Sequence, residues 1–211
     1  MALIIFDFDG VLADTLDDML NFAQAVCAEL NIDHIPSPAD LDALETMSFV
    51  EYGKQLGVPP HLAGDFAARC LKRFVDKPSP PKIFAGMVQV LEQLSARHTL
   101  AIITGNTTRA VENFLRENNI HQFISVVFAV DQPGSKVEKI QKAKSQLATE
   151  ADAVYYVGDA VSDILAARQA LIKSVAIGWG HQSLGKLMNA QPDHIIHTPQ
   201  EFIELFEKSE A

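Results

Sequence analysis

Two aspartates one residue apart, Asp7 and Asp9, close the apolar run Leu3–Phe6 and are followed by Gly10. A second pair, Asp159 and Asp163, follows another apolar run that ends in Tyr156-Val157-Gly158. If these runs are strands, alternate residues share a face, so Asp7 and Asp9 can address one site where the first strand opens into a loop. Gly10 permits a tight turn there. Carboxylates that converge on one cleft repel each other, so either some hold protons or a cation lies among them. Oxygen-only ligands, with no His or Cys close by in sequence, select a hard cation, and Mg2+ is the first choice. Taken singly, each aspartate reads equally well as a turn residue or a helix cap. Only the set points to chemistry.

Two further segments add to it. Thr104-Gly105-Asn106 directly follows the apolar run Leu100–Ile103. A hydroxyl, an amide and exposed backbone N–H groups at the start of a helix make an anion cradle. Lys136, in Gly134-Ser135-Lys136, opens the next helical pattern. A cation there can neutralise a phosphate and one carboxylate; alone it reads as a solvated lysine.

The elements that must position these groups alternate along the chain. Apolar strand-like runs at Leu3–Phe6, Thr99–Ile103, Ser125–Val130, Ala153–Val157 and Ser174–Ile177 are separated by helical patterns. Those patterns span Gly86–Ala96, Thr108–Asn118, Lys136–Ala148 and Ser162–Ala170. Such alternation predicts an α/β fold, a Rossmann-like parallel sheet flanked by helices, with ligands beyond the carboxyl ends of the strands. From about Thr15 to Pro80 the alternation stops. Helical patterns at Leu16–Leu30, Leu41–Thr46, Phe49–Leu56 and Leu62–Phe74 predict an all-helical insertion after the first strand. The stiff Lys77-Pro78-Ser79-Pro80-Pro81 segment leads out of it.

Composition narrows the function classes. The 211 residues carry a formal net charge of −10, which argues against nucleic-acid binding through a broad basic surface. It does not argue against a small anionic substrate, because a metal or a few cations reverse the field inside one cleft. No apolar run approaches a membrane span, and Met1 leads into Leu3–Phe6 without a basic, signal-like start. Two cysteines, Cys27 and Cys70, lack metal-ligand spacing and suggest no disulfide framework. The expectation is a cytoplasmic protein, monomer or homodimer, acting on a small metabolite. The seven histidines are scattered, and none is assigned a role.

In motif order these residues resemble the haloacid dehalogenase superfamily, and within it the phosphoglycolate phosphatase-like branch. Asp7-Phe8-Asp9-Gly10-Val11-Leu12-Ala13-Asp14-Thr15 looks like its first motif and Thr104 like its second. Lys136 resembles the third and Gly158-Asp159 through Asp163 the fourth. The stretches Ile177–Gly180 and Pro192–Ile196 also look like this branch. The resemblance implies a core of residues 1–14 and 81–211 and a cap of residues 15–80. It implies that Asp7 attacks phosphorus to form an aspartyl-phosphate, and that Asp9 protonates the leaving alkoxide and then activates water. It implies Mg2+ held by Asp7, the Asp9 backbone carbonyl, Asp159 and Asp163. Thr104, Gly105, Asn106 and Lys136 would bind the phosphoryl group. Within the superfamily Asp9 favours phosphoryl chemistry, because a halide leaving group needs no proton.

Two departures stand out. Lys136 is followed by Val-Glu-Lys where many relatives have a proline-rich run, which leaves Lys139 as a rival for the third motif. Between Leu41 and Leu56 the only glycine is Gly53, where many phosphoglycolate phosphatases carry more. The implied activity is hydrolysis of a small phosphomonoester, phosphoglycolate first. The alternatives are a sugar phosphomutase using the same Asp7 and Asp9, and a catalytically silent binding protein on this fold. The intact acidic set speaks against the last.

Overall fold

The computed structural model describes residues 1–149 and 152–207; residues 150, 151 and 208–211 of the expected core lie outside them. In chain order the strands are β1 (Ala2–Phe6), β2 (Ala13–Asp14), β3 (Lys82–Ile83), β4 (Thr99–Ile103), β5 (Val126–Phe128), β6 (Ala153–Gly158), β7 (Lys173–Ile177) and β8 (His194–Ile196). The helices begin with α1 (Leu16–Glu29), α2 (Pro38–Ala43), α3 (Phe49–Gln55) and α4 (Ala63–Asp76). They continue with α5 (Met87–Ser95), α6 (Thr108–Glu117), α7 (Lys136–Leu147), α8 (Val161–Gln169), α9 (Leu184–Asn189) and α10 (Gln200–Glu207).

Six strands form one parallel sheet in the order β5-β4-β1-β6-β7-β8. They are apolar on both faces, as a sheet covered on both sides requires. On one face Ile4, Phe6, Ile102 and Val157 pack with residues of α5, α6 and α10. On the other, Leu3, Ile5, Ile103 and Tyr156 pack with α7 and α8. The chain runs outward from β1 through β4 to β5 and returns on the other side of β1 as β6. The strand order therefore reverses beside β1, where open α/β sheets hold their ligands. Register completes the placement: Phe6 pairs with Ile102 and with Val157, so Asp7, Thr104 and Asp159 emerge side by side.

Helices α1 to α4 bury their apolar stripes against each other. On α4 the buried residues Ala63, Phe66, Ala67, Cys70 and Phe74 recur at helical spacing, and on α1 Met19, Ala23, Val26 and Cys27 do the same. Tyr52 meets Phe66 edge to face. The result is a hydrophobic core separate from those of the sheet. A two-residue antiparallel ribbon, β2 with β3, carries the chain into and out of this helical layer. Both cysteines are buried and free. Among the described residues no helix is long and apolar enough to cross a membrane.

Several elements differ from the sequence expectation. Helix α2 spans Pro38–Ala43 rather than Leu41–Thr46. The Asp40 carboxylate accepts from the Ser37 N–H at 2.8 Å, and Pro38 starts the helix, so the capping chemistry sets its origin ahead of the apolar pattern. The strand expected at Ser125–Val130 is trimmed to three residues. The ribbon, β8, α9 and α10 were not expected as elements; the strands among them have only two or three residues, too few to show a period.

Candidate active site

The β1 end turns sharply. The N–H groups of Leu12 and Ala13 both reach the Phe8 carbonyl at 3.0 Å, and Gly10 donates to Ala13 at 2.9 Å. Gly10 has φ +76°, and a Cβ there would lie 2.0 Å from Asp159 Oδ2. Only glycine allows this loop to fold onto the second acidic pair. Gly158 does the same for the other member: its Cβ would lie 2.3 Å from Asp163 Oδ2.

The structure brings Asp7, Asp159 and Asp163 together, with one oxygen of each within 4.8 Å of the others. Lys136, at the first turn of α7, reaches Asp7 Oδ2 at 2.8 Å and also pairs with Asp163. Its ammonium lies over the Tyr156 ring. Burial would lower the Lys136 pKa, but Asp163 and Asp7 raise it well above the ordinary lysine range. Lys139 points elsewhere: its ammonium is buried and donates to the Ala129 carbonyl at 2.7 Å, bracing the loop after β5. Of the two lysines, geometry puts Lys136 at the acids.

Asp9 faces a different environment. Burial, and next to it the charge of Asp7, push its carboxyl up to about 7, against the lowering influence of His181, Thr15 and Asn106. Asn106 Nδ2 approaches both Asp9 oxygens at 3.4 Å. Thr104, buried at the end of β4, accepts the Asn106 N–H at 2.9 Å, which leaves its own hydroxyl hydrogen to donate. Gly105 lines the cavity in front of these groups, with open space where a Cβ would project.

One participant escaped the sequence reading. His181, in the turn after β7, is buried and bonds Asp159 Oδ2 twice, through its backbone N–H at 2.7 Å and through Nδ1 at 3.0 Å. Its Nε2 lies 3.4 Å from the Thr15 hydroxyl. Burial raises the Asp159 carboxyl, and the charge and hydrogen bonds of His181 more than reverse this, so Asp159 stays below the ordinary carboxylate range. His181 in turn is raised, because Asp159 outweighs the effect of burial. The sequence reading assigns no histidine a role, and the structure places His181 against Asp159. His181 is 172 positions from Asp9 in sequence, so only the β7 register joins them.

The same turn holds the helical layer. Gln182 Nε2 donates to the Leu44 carbonyl at 2.7 Å, and the Ser183 N–H donates to Asp42 at 2.7 Å. Above the acids is a cavity of about 240 Å³ between the sheet and α1, α3 and α4. Lys54, Arg69, Lys72, Arg73 and Lys77, the Lys and Arg residues of the helical insertion, lie outside its lining and pair with acids.

The oxygen-rich cluster fits a hard divalent cation: three carboxylates from two strand ends and a helix converge, and glycine leaves the space they occupy. Comparison with known proteins gives the family. Residues 4–177 match the model of a family described as haloacid dehalogenase-like hydrolase. A phosphoglycolate phosphatase of Synechococcus elongatus is 31% identical, over 97% of this chain and 96% of its own. A probable phosphatase of Dickeya dadantii is 25% identical, covering 95% and 91%. A solved haloacid dehalogenase-like hydrolase of Streptococcus pneumoniae superposes with a TM-score of 0.81 at 26% identity, covering 98% of both chains.

Proposed function

This chain belongs to the haloacid dehalogenase-like hydrolases, and from that premise we propose that it is a magnesium-dependent phosphatase of small phosphomonoesters. The helical layer, residues 15–80, serves as its cap over a core of residues 1–14 and 81–211. The observation that carries the reading is the contrast within the first pair. Asp7 faces Lys136 and the acidic cluster, whereas Asp9 two residues on has its carboxyl pushed up to about 7. A general acid must hold a proton, and burial beside Asp7 favours one on Asp9.

In the proposed reaction an Asp7 oxygen attacks phosphorus in line and the bond to the leaving alkoxide breaks. The proton on Asp9 passes to that alkoxide. Asp9, now a carboxylate, takes a proton from water, whose oxygen attacks the aspartyl-phosphate and releases inorganic phosphate. Asp7, the Asp9 backbone carbonyl, Asp159 and Asp163 would hold Mg2+, which supplies Lewis-acid stabilisation of phosphoryl charge when bound. Lys136, the Thr104 hydroxyl, the Gly105 backbone and Asn106 would bind the phosphoryl oxygens. Closure of the cap excludes bulk water. The names of the relatives make phosphoglycolate the first natural substrate to try. A cytoplasmic setting suits such a metabolite and the two free cysteines.

The test is phosphate release with Mg2+ and with a chelator. Asp7→Asn should lose activity by at least about 10⁴-fold while keeping the wild-type circular-dichroism spectrum. Wild-type turnover in that variant overturns the mechanism.

A further inference from the structure

The two ends of the cavity differ in a way that bears on the substrate. Among the described residues, the cationic side chains lining it are Lys136 and His181, and both are engaged by carboxylates: Lys136 by Asp7 and Asp163, His181 by Asp159. The wall facing the acids is largely apolar, formed by Met19 of α1, Met47, Phe49 and Val50 around the start of α3, and Ala67 and Leu71 of α4, with Ser48 and Tyr52 as its uncharged polar members. At the rim Val50 and Val130 are 37% and 44% exposed, two large apolar side chains left open to water beside the acids. The Lys and Arg side chains of residues 15–80 lie outside the lining and pair with acids, Lys77 with Asp18 among them. Lys54 pairs with Glu51, Arg69 with Glu29 and Asp65, Lys72 with Asp76, and Arg73 with Glu29.

A carboxylate on the leaving group would meet the uncharged hydroxyls of Ser48 and Tyr52 but no cation that is not already paired, and a charge desolvated without a counter-ion is strongly disfavoured. An uncharged alkyl or aryl alcohol would cover the exposed valines and gain by apolar burial. Methionine side chains adapt to irregular apolar shapes. The volume, about 240 Å³, is below the roughly 300–1,000 Å³ of most ligand pockets and limits the alcohol to a small one. Resting on the phosphatase reading above, we infer that the preferred substrate is a phosphomonoester of a small, uncharged, largely apolar alcohol, and that the cap wall at Val50 and Leu71 selects against a carboxylate-bearing ester such as phosphoglycolate.

The experiment compares kcat/KM for isobutyl phosphate, benzyl phosphate and phosphoglycolate with Mg2+. In all three the ester oxygen sits on a saturated carbon, so differences in leaving-group ability do not dominate. The apolar esters should exceed phosphoglycolate by about tenfold or more, the scale on which hydrophobic pockets discriminate. Val50→Lys, a change at an exposed helix position, should narrow that ratio by about tenfold, chiefly through a lower KM for phosphoglycolate. A wild-type preference for phosphoglycolate overturns this inference and leaves the phosphatase reading standing. Absence of Mg2+-dependent phosphate release from all three esters overturns both.

Discussion

The floor of the cavity and its wall are built on opposite principles. At the floor, Asp7, Asp9, Asp159 and Asp163 come from the carboxyl ends of two adjacent strands and the helix after one of them, and they are fixed by Lys136, Asn106 and His181. On the wall, Met19, Phe49 and Leu71 come from three separate helices whose register depends on how the helical layer packs. Charge held at short range in a poorly solvated place is sensitive to an ångström and to a single proton. An apolar wall is sensitive mainly to volume and area. Reaction and substrate choice should therefore respond to different mutations and by different amounts.

The floor should show the largest effect. Lys136→Ala removes the ammonium shared by Asp7 and Asp163 and should lower kcat by about 10²–10³-fold, the scale for losing one stabiliser of developing charge. Lys139→Ala, three residues along α7, should cost less than about tenfold in kcat and show its effect in Tm instead, since Lys139 braces the Ala129 carbonyl. Steady-state kinetics on both variants would reverse the assignment if the ranking were inverted.

His181 lines the cavity beside the floor and acts through its bonds to Asp159. His181→Ala should weaken Mg2+ binding by about 10–100-fold, as loss of an outer partner of a metal ligand does. The readouts are the Mg2+ midpoint for activity and, independently of turnover, the rise in Tm that Mg2+ produces. An unchanged midpoint in both would leave His181 a packing residue only.

The wall should respond more gently. Leu71→Ala should reduce kcat/KM for an apolar ester by about tenfold, mostly through KM, and leave the Mg2+ midpoint where it was. An equal loss in kcat would mean that the cap also positions the phosphoryl group, and the division between floor and wall would fail.

The same division governs what the sequence reveals. The floor is legible because backbone geometry alone sets much of it: aspartates at strand ends, with Gly10 and Gly158 beside them, can go to few other places. Lys136 is legible as the start of a helix, and the structure separates it from Lys139 by their partners, Asp7 and Asp163 for the one and the Ala129 carbonyl for the other. His181 is invisible because no local pattern links it to Asp159; the pairing follows from β6 lying beside β7. The wall is invisible for a different reason. Met19 and Phe49 occupy ordinary helical core positions, and periodicity does not distinguish a residue facing its own bundle from one facing a substrate. The docking of Gln182 and Ser183 onto the C-terminal end of α2 is likewise a tertiary fact.

The smallest effect is on stability, and it isolates Asp9. Without metal, Asp9 holds its proton up to about 7 in the folded protein and releases it near the ordinary aspartate range when unfolded. Between those values the folded state binds the extra proton, so stability falls as pH rises and levels off above about 7. Asp163, raised by burial and by Asp7 and Asp159 against Lys136, acts in the same direction, and so does His181, whose raised pKa means it loses its proton late. Carboxyls held low, such as Asp159 and Asp193, oppose the trend only toward acid pH, because their stabilising charge is lost as pH falls. In chelator, wild-type Tm should therefore drop by several degrees from pH 5 to pH 7.5. Asp9→Asn cannot take part in this linkage and should show a shallower drop, while Leu71→Ala on the wall should keep the wild-type slope. If Asp9→Asn kept the full slope, its raised carboxyl would not be the source, and the acid role drawn from it would lose its physical basis.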